Sequence, residues 1–104
     1  PSVLCRGRLQ IAVSTGGASP STARDIRRAL EEQFPAWWED YLDLMAELRL
    51  LVKSRVPGSM EQRAPLYEAI SASDLLARFA AGERPDSATA YSQIVEPLLE
   101  EVKR

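Results

Sequence analysis

The sequence predicts an α+β chain that is mostly α: a short N-terminal β-hairpin followed by about five helices. Three observations carry this. Residues 1–15 alternate apolar and polar side chains about a central glycine, as strands do. From Pro20 onward the apolar residues recur at three- and four-residue spacing, as on one face of a helix. Prolines, glycines and cap-forming serines divide that second region into segments of helical length. An isolated two-stranded hairpin is marginal in water. The hairpin is therefore expected to need a partner sheet or a second chain.

The first strand is predicted over residues 3–6 and the second over 9–15, with Gly7 and Arg8 as the turn. In the second, Leu9, Ile11 and Val13 alternate with Gln10, Ala12 and Ser14, the period of a half-buried strand. Cys5 on the first strand reads as a small buried hydrophobe rather than a nucleophile. The segment Thr15-Gly16-Gly17-Ala18-Ser19-Pro20 follows as a loop. Ser19 can cap free helix N–H groups, and Pro20 suits the first helical position, where the amide has no intrahelical partner.

The first helix runs to about Phe34. Ala23, Ile26, Leu30 and Phe34 form its inner face, and Arg24, Arg28, Glu31 and Glu32 point outward. Pro35 ends it, because the residue before proline avoids the helical region. The next helix is predicted over residues 37–55. Tyr41, Met45, Leu48 and Val52 make one stripe with Leu44 and Leu51 beside it, and Leu42, Ala46 and Leu50 make a second apolar line. A surface this wide predicts burial on two sides, one of them against another subunit.

Val56-Pro57-Gly58 breaks the chain. Ser59 and Gln62 have capping-box spacing ahead of a third helix carrying Leu66, Tyr67 and Ile70. Pro65 requires that this helix start near Ala64 or kink. Ser73 and Asp74 open a fourth, short helix through Leu75, Leu76 and Phe79, closed by Gly82. The last helix begins near Asp86 or Ser87, buries Tyr91, Ile94, Val95, Leu98 and Val102, and bends at Pro97. This divides the chain into a strand–loop–helix segment, residues 1–35, and a helical segment, residues 36–104.

Composition narrows the function. The chain has 104 residues, 45% hydrophobic content and a net charge of −2. That is enough for a modest core but too little for a dinucleotide-binding fold plus anything else. Acidic and basic residues alternate, so no concentrated basic face exists for nucleic acid. No apolar run approaches the roughly 20 residues that span a bilayer, and the N-terminal apolar stretch is too short for a signal peptide. A single cysteine excludes an internal disulfide and fits the cytoplasm. The absence of histidine excludes a Ser-His-Asp triad and a His/Cys zinc site within one chain. Pro1 in place of Met suggests a piece of a longer protein.

The strand–glycine loop–helix unit at residues 9–34 is where chemistry can sit. Glycines allow close backbone approach, and a helix N-terminus offers unpaired N–H groups to an anion. Ser14, Thr15 and Ser19 add hydroxyls, Arg24 lies one turn into the helix, and Arg6 and Arg8 lie near the adjoining turn. The same residues also read as a plain turn whose glycines only satisfy geometry. The loop lacks the Gly-Lys-Ser/Thr ending of a P-loop and the third glycine of a dinucleotide fingerprint. Trp37 and Trp38 suit either stacking on a flat ligand or core packing. Glu39, Asp40 and Asp43 suit either a metal or, more readily, a solvated first helical turn.

The segment Leu9-Gln-Ile-Ala-Val-Ser-Thr-Gly-Gly-Ala-Ser-Pro20, followed by Thr22-Ala-Arg-Asp-Ile-Arg-Arg-Ala-Leu-Glu31, closely resembles the siroheme synthase family. There a strand ends in Ser-Ser or Ser-Thr, two positions often including Gly follow, then a small residue, Ser-Pro and a helix with Ala-Arg and Leu-Glu. Pro1-Ser2 resembles the Pro-Ser that leads into this region, and weaker similarity continues through residues 41–57 and 63–70. The resemblance implies an NAD-dependent enzyme that oxidises precorrin-2 to sirohydrochlorin and inserts ferrous iron, its substrate, to give siroheme. It implies that the NAD-binding domain and a key aspartate precede Pro1, so no catalytic, cofactor-binding or metal residue is expected here and the chain alone is expected to be inactive. It implies a homodimer intertwined by exchange of strands and helices, and a tetrapyrrole pocket lined by Ser14, Thr15, Gly16, Gly17 and Ser19. The alternative is a non-catalytic helical homodimerisation module.

Overall fold

A computed structural model describes residues 1–103. The order is β1 (Ser2–Arg6), β2 (Leu9–Val13), α1 (Pro20–Gln33), α2 (Trp38–Arg55), α3 (Met60–Ser71), α4 (Leu75–Ala80) and α5 (Ser87–Lys103). The chain is α+β and mostly helical, as the patterning predicts. It divides into two compact units, Pro1–Leu42 and Asp43–Arg104.

In the first unit β1 and β2 pair antiparallel, with Arg6 opposite Leu9 and Ser2 opposite Val13. The two-residue turn has positive φ at Gly7 (60°), and among the described residues no non-glycine has positive φ. This is the II′ arrangement, whose twist matches that of paired strands. Ser2, Leu4 and Arg6 share one face with Leu9, Ile11 and Val13, and α1 packs against both strands. Leu4 and Ala23 are buried there. The opposite face carries Val3, Cys5, Gln10 and Ala12. Cys5 is exposed, contrary to the buried position expected, because the register turns it away from α1.

β2 ends at Val13 rather than at Thr15. The next register position would set Ser14 against Pro1, and proline sits at ladder ends. The Ser14 and Thr15 hydroxyls bond within the loop instead. α1 starts as expected: Ser19 is the N-cap, Pro20 occupies the first turn, and Phe34 is the C-cap. Arg6 Nε donates to Phe34 O at 2.8 Å, satisfying a carbonyl that the helix end leaves unpaired. Ile26, predicted on the inner face, is 44% exposed.

At the start of α2, Trp38 meets Phe34 and Tyr41 edge-on, with centroids 5.1 and 5.4 Å away, and stacks on Trp37 at 5.6 Å. This is the packing reading of the tryptophan pair. Burial raises the pKa of Tyr41.

In the second unit Leu44, Leu48 and Val52 are buried, as are Leu66 and Ile70 of α3, Leu75 and Phe79 of α4, and Ala90, Tyr91 and Val95 of α5. The second apolar line of α2 is not buried: Leu42 and Ala46 are half-buried and Leu50 is 66% exposed. α3 begins at Met60, not near Ala64, and continues past Pro65. Its capping box is complete: Ser59 N donates to Gln62 Oε1 at 2.7 Å and Gln62 N to Ser59 Oγ at 3.3 Å. At the end of α4, Gly82 N donates to Phe79 O and Glu83 N to Arg78 O, the paired bonds of a Schellman motif, with Gly82 at φ 94°. Asp86 Oδ1 accepts from Thr89 N at 2.7 Å ahead of α5, and this bond lowers its pKa. Val102, predicted on the buried face of α5, is 86% exposed. Among the described residues no helix is long and apolar enough to cross a membrane.

Candidate functional site

The loop between β2 and α1 borders a cleft of about 420 Å³ that lies within the first unit. Pro1, Ser2 and Val13 form the strand wall, Ser14, Thr15 and Gly17 the loop, and Pro20, Ala23, Arg24 and Arg27 the helix. Three of the five residues singled out in the sequence therefore line it. Gly16 and Ser19 belong to the same loop but are not on its wall.

The loop is held from inside. Ala18 N donates to Thr15 O at 3.1 Å, closing a turn whose central residues Gly16 and Gly17 have φ of 64° and 81°. Two successive left-handed residues define a type I′ turn and explain the glycine pair. Thr15 Oγ1 accepts from Ser19 N at 3.0 Å and donates to Ser19 O at 3.1 Å. Gly16 N donates to Ser14 Oγ at 3.2 Å. Ser19 Oγ accepts from Thr22 N at 3.2 Å and lies 2.7 Å from Thr22 Oγ1. The Thr15 and Ser19 hydroxyls thus shape the loop. A Cβ added at Gly16 or Gly17 would meet nothing within 4 Å, so those positions are open to whatever enters.

The charge in the cleft comes from α1. Arg24 and Arg27 lie one turn apart and share a helix face. Arg27 donates to Ser2 Oγ through Nε and to Glu31 through Nη1. Arg24 is 51% exposed, and its nearest carboxylate oxygen, Asp25 Oδ1, is 3.8 Å away. Reading the sequence for loop residues missed Arg27, although its place one turn beyond Ala23 and Arg24 is the signal that would have found it. Arg6 and Arg8 do not join the cleft. They sit at the opposite end of the hairpin, where Arg6 caps α1. Among the described residues no group of three or more His, Cys, Asp or Glu side chains is placed to hold a metal ion. The arrangement is a small half-apolar cleft with a rigid glycine lip and a cationic helix wall. Two guanidinium groups beside apolar side chains are the kind of wall an anion with an apolar body can use.

Residues 6–33 match the family model described as sirohaem biosynthesis protein, central. The siroheme synthase of Thioalkalivibrio sulfidiphilus is 38% identical over 88 residues, 85% of this chain and 18% of that protein. The siroheme synthase of Citrobacter koseri is 35% identical over 101 residues, 97% of this chain and 21% of that protein. The chain thus spans about a fifth of the length of these relatives. Among solved structures, SirC, a precorrin-2 dehydrogenase, superposes with a TM-score of 0.64 at 29% identity, covering 72% of this chain and 37% of that one.

Proposed function

The chain belongs to the siroheme synthase family, and from that premise we propose that it supplies the dimer-forming, tetrapyrrole-holding part of a cytoplasmic enzyme. That enzyme oxidises precorrin-2 to sirohydrochlorin with NAD and inserts ferrous iron. The observation that carries the reading is the cleft beside the Gly16-Gly17 turn. It sets Val13, Pro20 and Ala23 beside two guanidinium groups, all within the segment matched to the family. A tetrapyrrole presents a flat apolar ring edged with carboxylates, and both halves of that chemistry have a counterpart here.

The residues present do not fit NAD. The loop follows an antiparallel hairpin rather than a strand of a parallel βαβ unit, and the dinucleotide fingerprint is missing. The dehydrogenation is therefore assigned to a larger protein of which this chain is one part. What these residues do is bind and orient the ring. The I′ turn holds the lip, Val13, Pro20 and Ala23 give apolar contact, and the helix wall sets the charge. Homodimerisation is supported by the unpaired edges of the hairpin and by Leu50 on the uncovered side of α2.

The test is Gly17→Asn in the intact parent enzyme. Asparagine tolerates left-handed backbone, and the added side chain enters open space at the cleft lip. Turnover or affinity for the tetrapyrrole should fall about tenfold or more, equivalent to about 1.4 kcal/mol, while NAD affinity holds. Unchanged tetrapyrrole binding would show the loop to be a turn and nothing more. Calorimetry of the isolated chain with NAD should give no saturable binding, and micromolar affinity would refute the division of labour.

A further inference from the structure

We propose that Arg24 is the specificity-determining residue of the cleft, pairing with a peripheral carboxylate of the ring. The inference rests on the reading of the cleft as a tetrapyrrole site. It is carried by the unequal surroundings of the two arginines on the helix wall. Arg27 is committed within the chain. Its Nε and Nη1 groups are taken by Ser2 and Glu31, and its side chain is 22% exposed. A guanidinium tied to a carboxylate one helical turn away has its charge offset, and two of its three nitrogens are already engaged.

Arg24 stands differently. Its side chain is 51% exposed and lines the same cleft. Its contact with Asp25 is 3.8 Å, beyond hydrogen-bonding range, and Asp25 is 68% exposed. Neighbours in helical sequence do not face one another, so this pair competes weakly with an incoming ligand. Among the described residues none accepts a hydrogen bond from Arg24. Its planar fork matches a carboxylate in bidentate fashion, a match that lysine cannot reproduce. The neighbouring cleft residues Val13, Pro20 and Ala23 carry no charge, so the uncommitted cation that the helix wall presents to a carboxylate arm of a bound ring is Arg24. Arg24 thus selects rings bearing a carboxylate at that edge over rings bearing a neutral group there.

The experiment measures sirohydrochlorin binding to the intact parent enzyme by absorbance titration, with Arg24→Ala, Arg24→Lys and Gly17→Asn compared at two salt concentrations. Arg24 makes no hydrogen bond among the described residues, so Arg24→Ala should fold normally. Its dissociation constant should rise about tenfold or more, as for the loss of a charge-assisted bond. Arg24→Lys should recover part of that loss. The weakening by salt should be shallower in Arg24→Ala than in the unaltered enzyme, a change that a purely structural role would not produce. NAD affinity should be unaltered in all. If Gly17→Asn weakens binding but Arg24→Ala does not, the role of Arg24 is overturned and the cleft reading stands. If neither variant alters binding, the cleft is not the tetrapyrrole site and both fall.

Discussion

Thr15 braces the loop, and removing its hydroxyl should loosen the cleft lip without touching the ligand directly. The Thr15 Oγ1 atom makes two bonds to the Ser19 backbone, accepting from N at 3.0 Å and donating to O at 3.1 Å. Neutral bonds of this kind contribute roughly 0.5–1.5 kcal/mol each. Because the site is only part-buried, water can replace some of this in Thr15→Ala, and a net loss of about 1–2 kcal/mol is expected. Ser19 is also the N-cap of α1, so the loss is local to the loop and the first helical turn. Native-state hydrogen exchange reads it. A loss of this size should speed exchange at the Ser19 amide roughly 5- to 30-fold. Thr15→Ser retains the hydroxyl and should stay within about twofold. Ser19 protection unchanged in Thr15→Ala would refute the bracing role. If ring binding fell while that protection held, the hydroxyl would be acting on the ligand, against the geometry described.

Two further outcomes are expected. Sedimentation equilibrium of the chain at micromolar concentration should give a dimer, and Leu50→Glu should shift it toward monomer, since Leu50 lies on the uncovered side of α2; a monomer of 11.5 kDa with a cooperative melt would remove the case for association. Tyr41 has a folded pKa raised by burial above 10.0, so the unfolded chain releases this proton first, and the associated stability, present below that value, is lost as pH rises through the folded pKa. Ultraviolet titration of tyrosinate in a Tyr67→Phe, Tyr91→Phe background should show Tyr41 ionising late, and titration at the ordinary value would contradict its burial.

Much of the architecture was legible because it is local. The Gly7 turn, the Ser19-Pro20 helix start, the Ser59–Gln62 box and the Gly82 terminus are each decided by a few adjacent residues. What failed depended on contacts between distant residues. Cys5 was misplaced because strand alternation does not say which face meets the helix. Arg6 was drawn toward the loop because it is close in sequence, whereas an antiparallel hairpin puts the turn and the loop at opposite ends. Ile26 and Val102 satisfy helical spacing yet are exposed, because spacing alone does not say how far along a helix its apolar face is covered. Within the candidate site the glycine pair was readable. The inward bonding of Thr15 and the unequal commitment of Arg24 and Arg27 were not, since both depend on rotamers and on partners such as Ser2, 25 residues from Arg27.

The two arginines that reach between the strand and the helix also guard against misalignment. Arg27 holds Ser2 at one end of β1, and Arg6, at the other end, holds the carbonyl of Phe34, the C-cap of α1. Ser2 and Arg6 are four residues apart and on the same face. A slip of β1 by one residue would turn both to the opposite side and break both ties at once. Hairpins with one open face and two open edges are prone to slippage and to pairing out of step. Here a shifted alignment would lose Leu4 from the core and two guanidinium anchors together. The two ties thereby hold β1 in a single frame against its own helix.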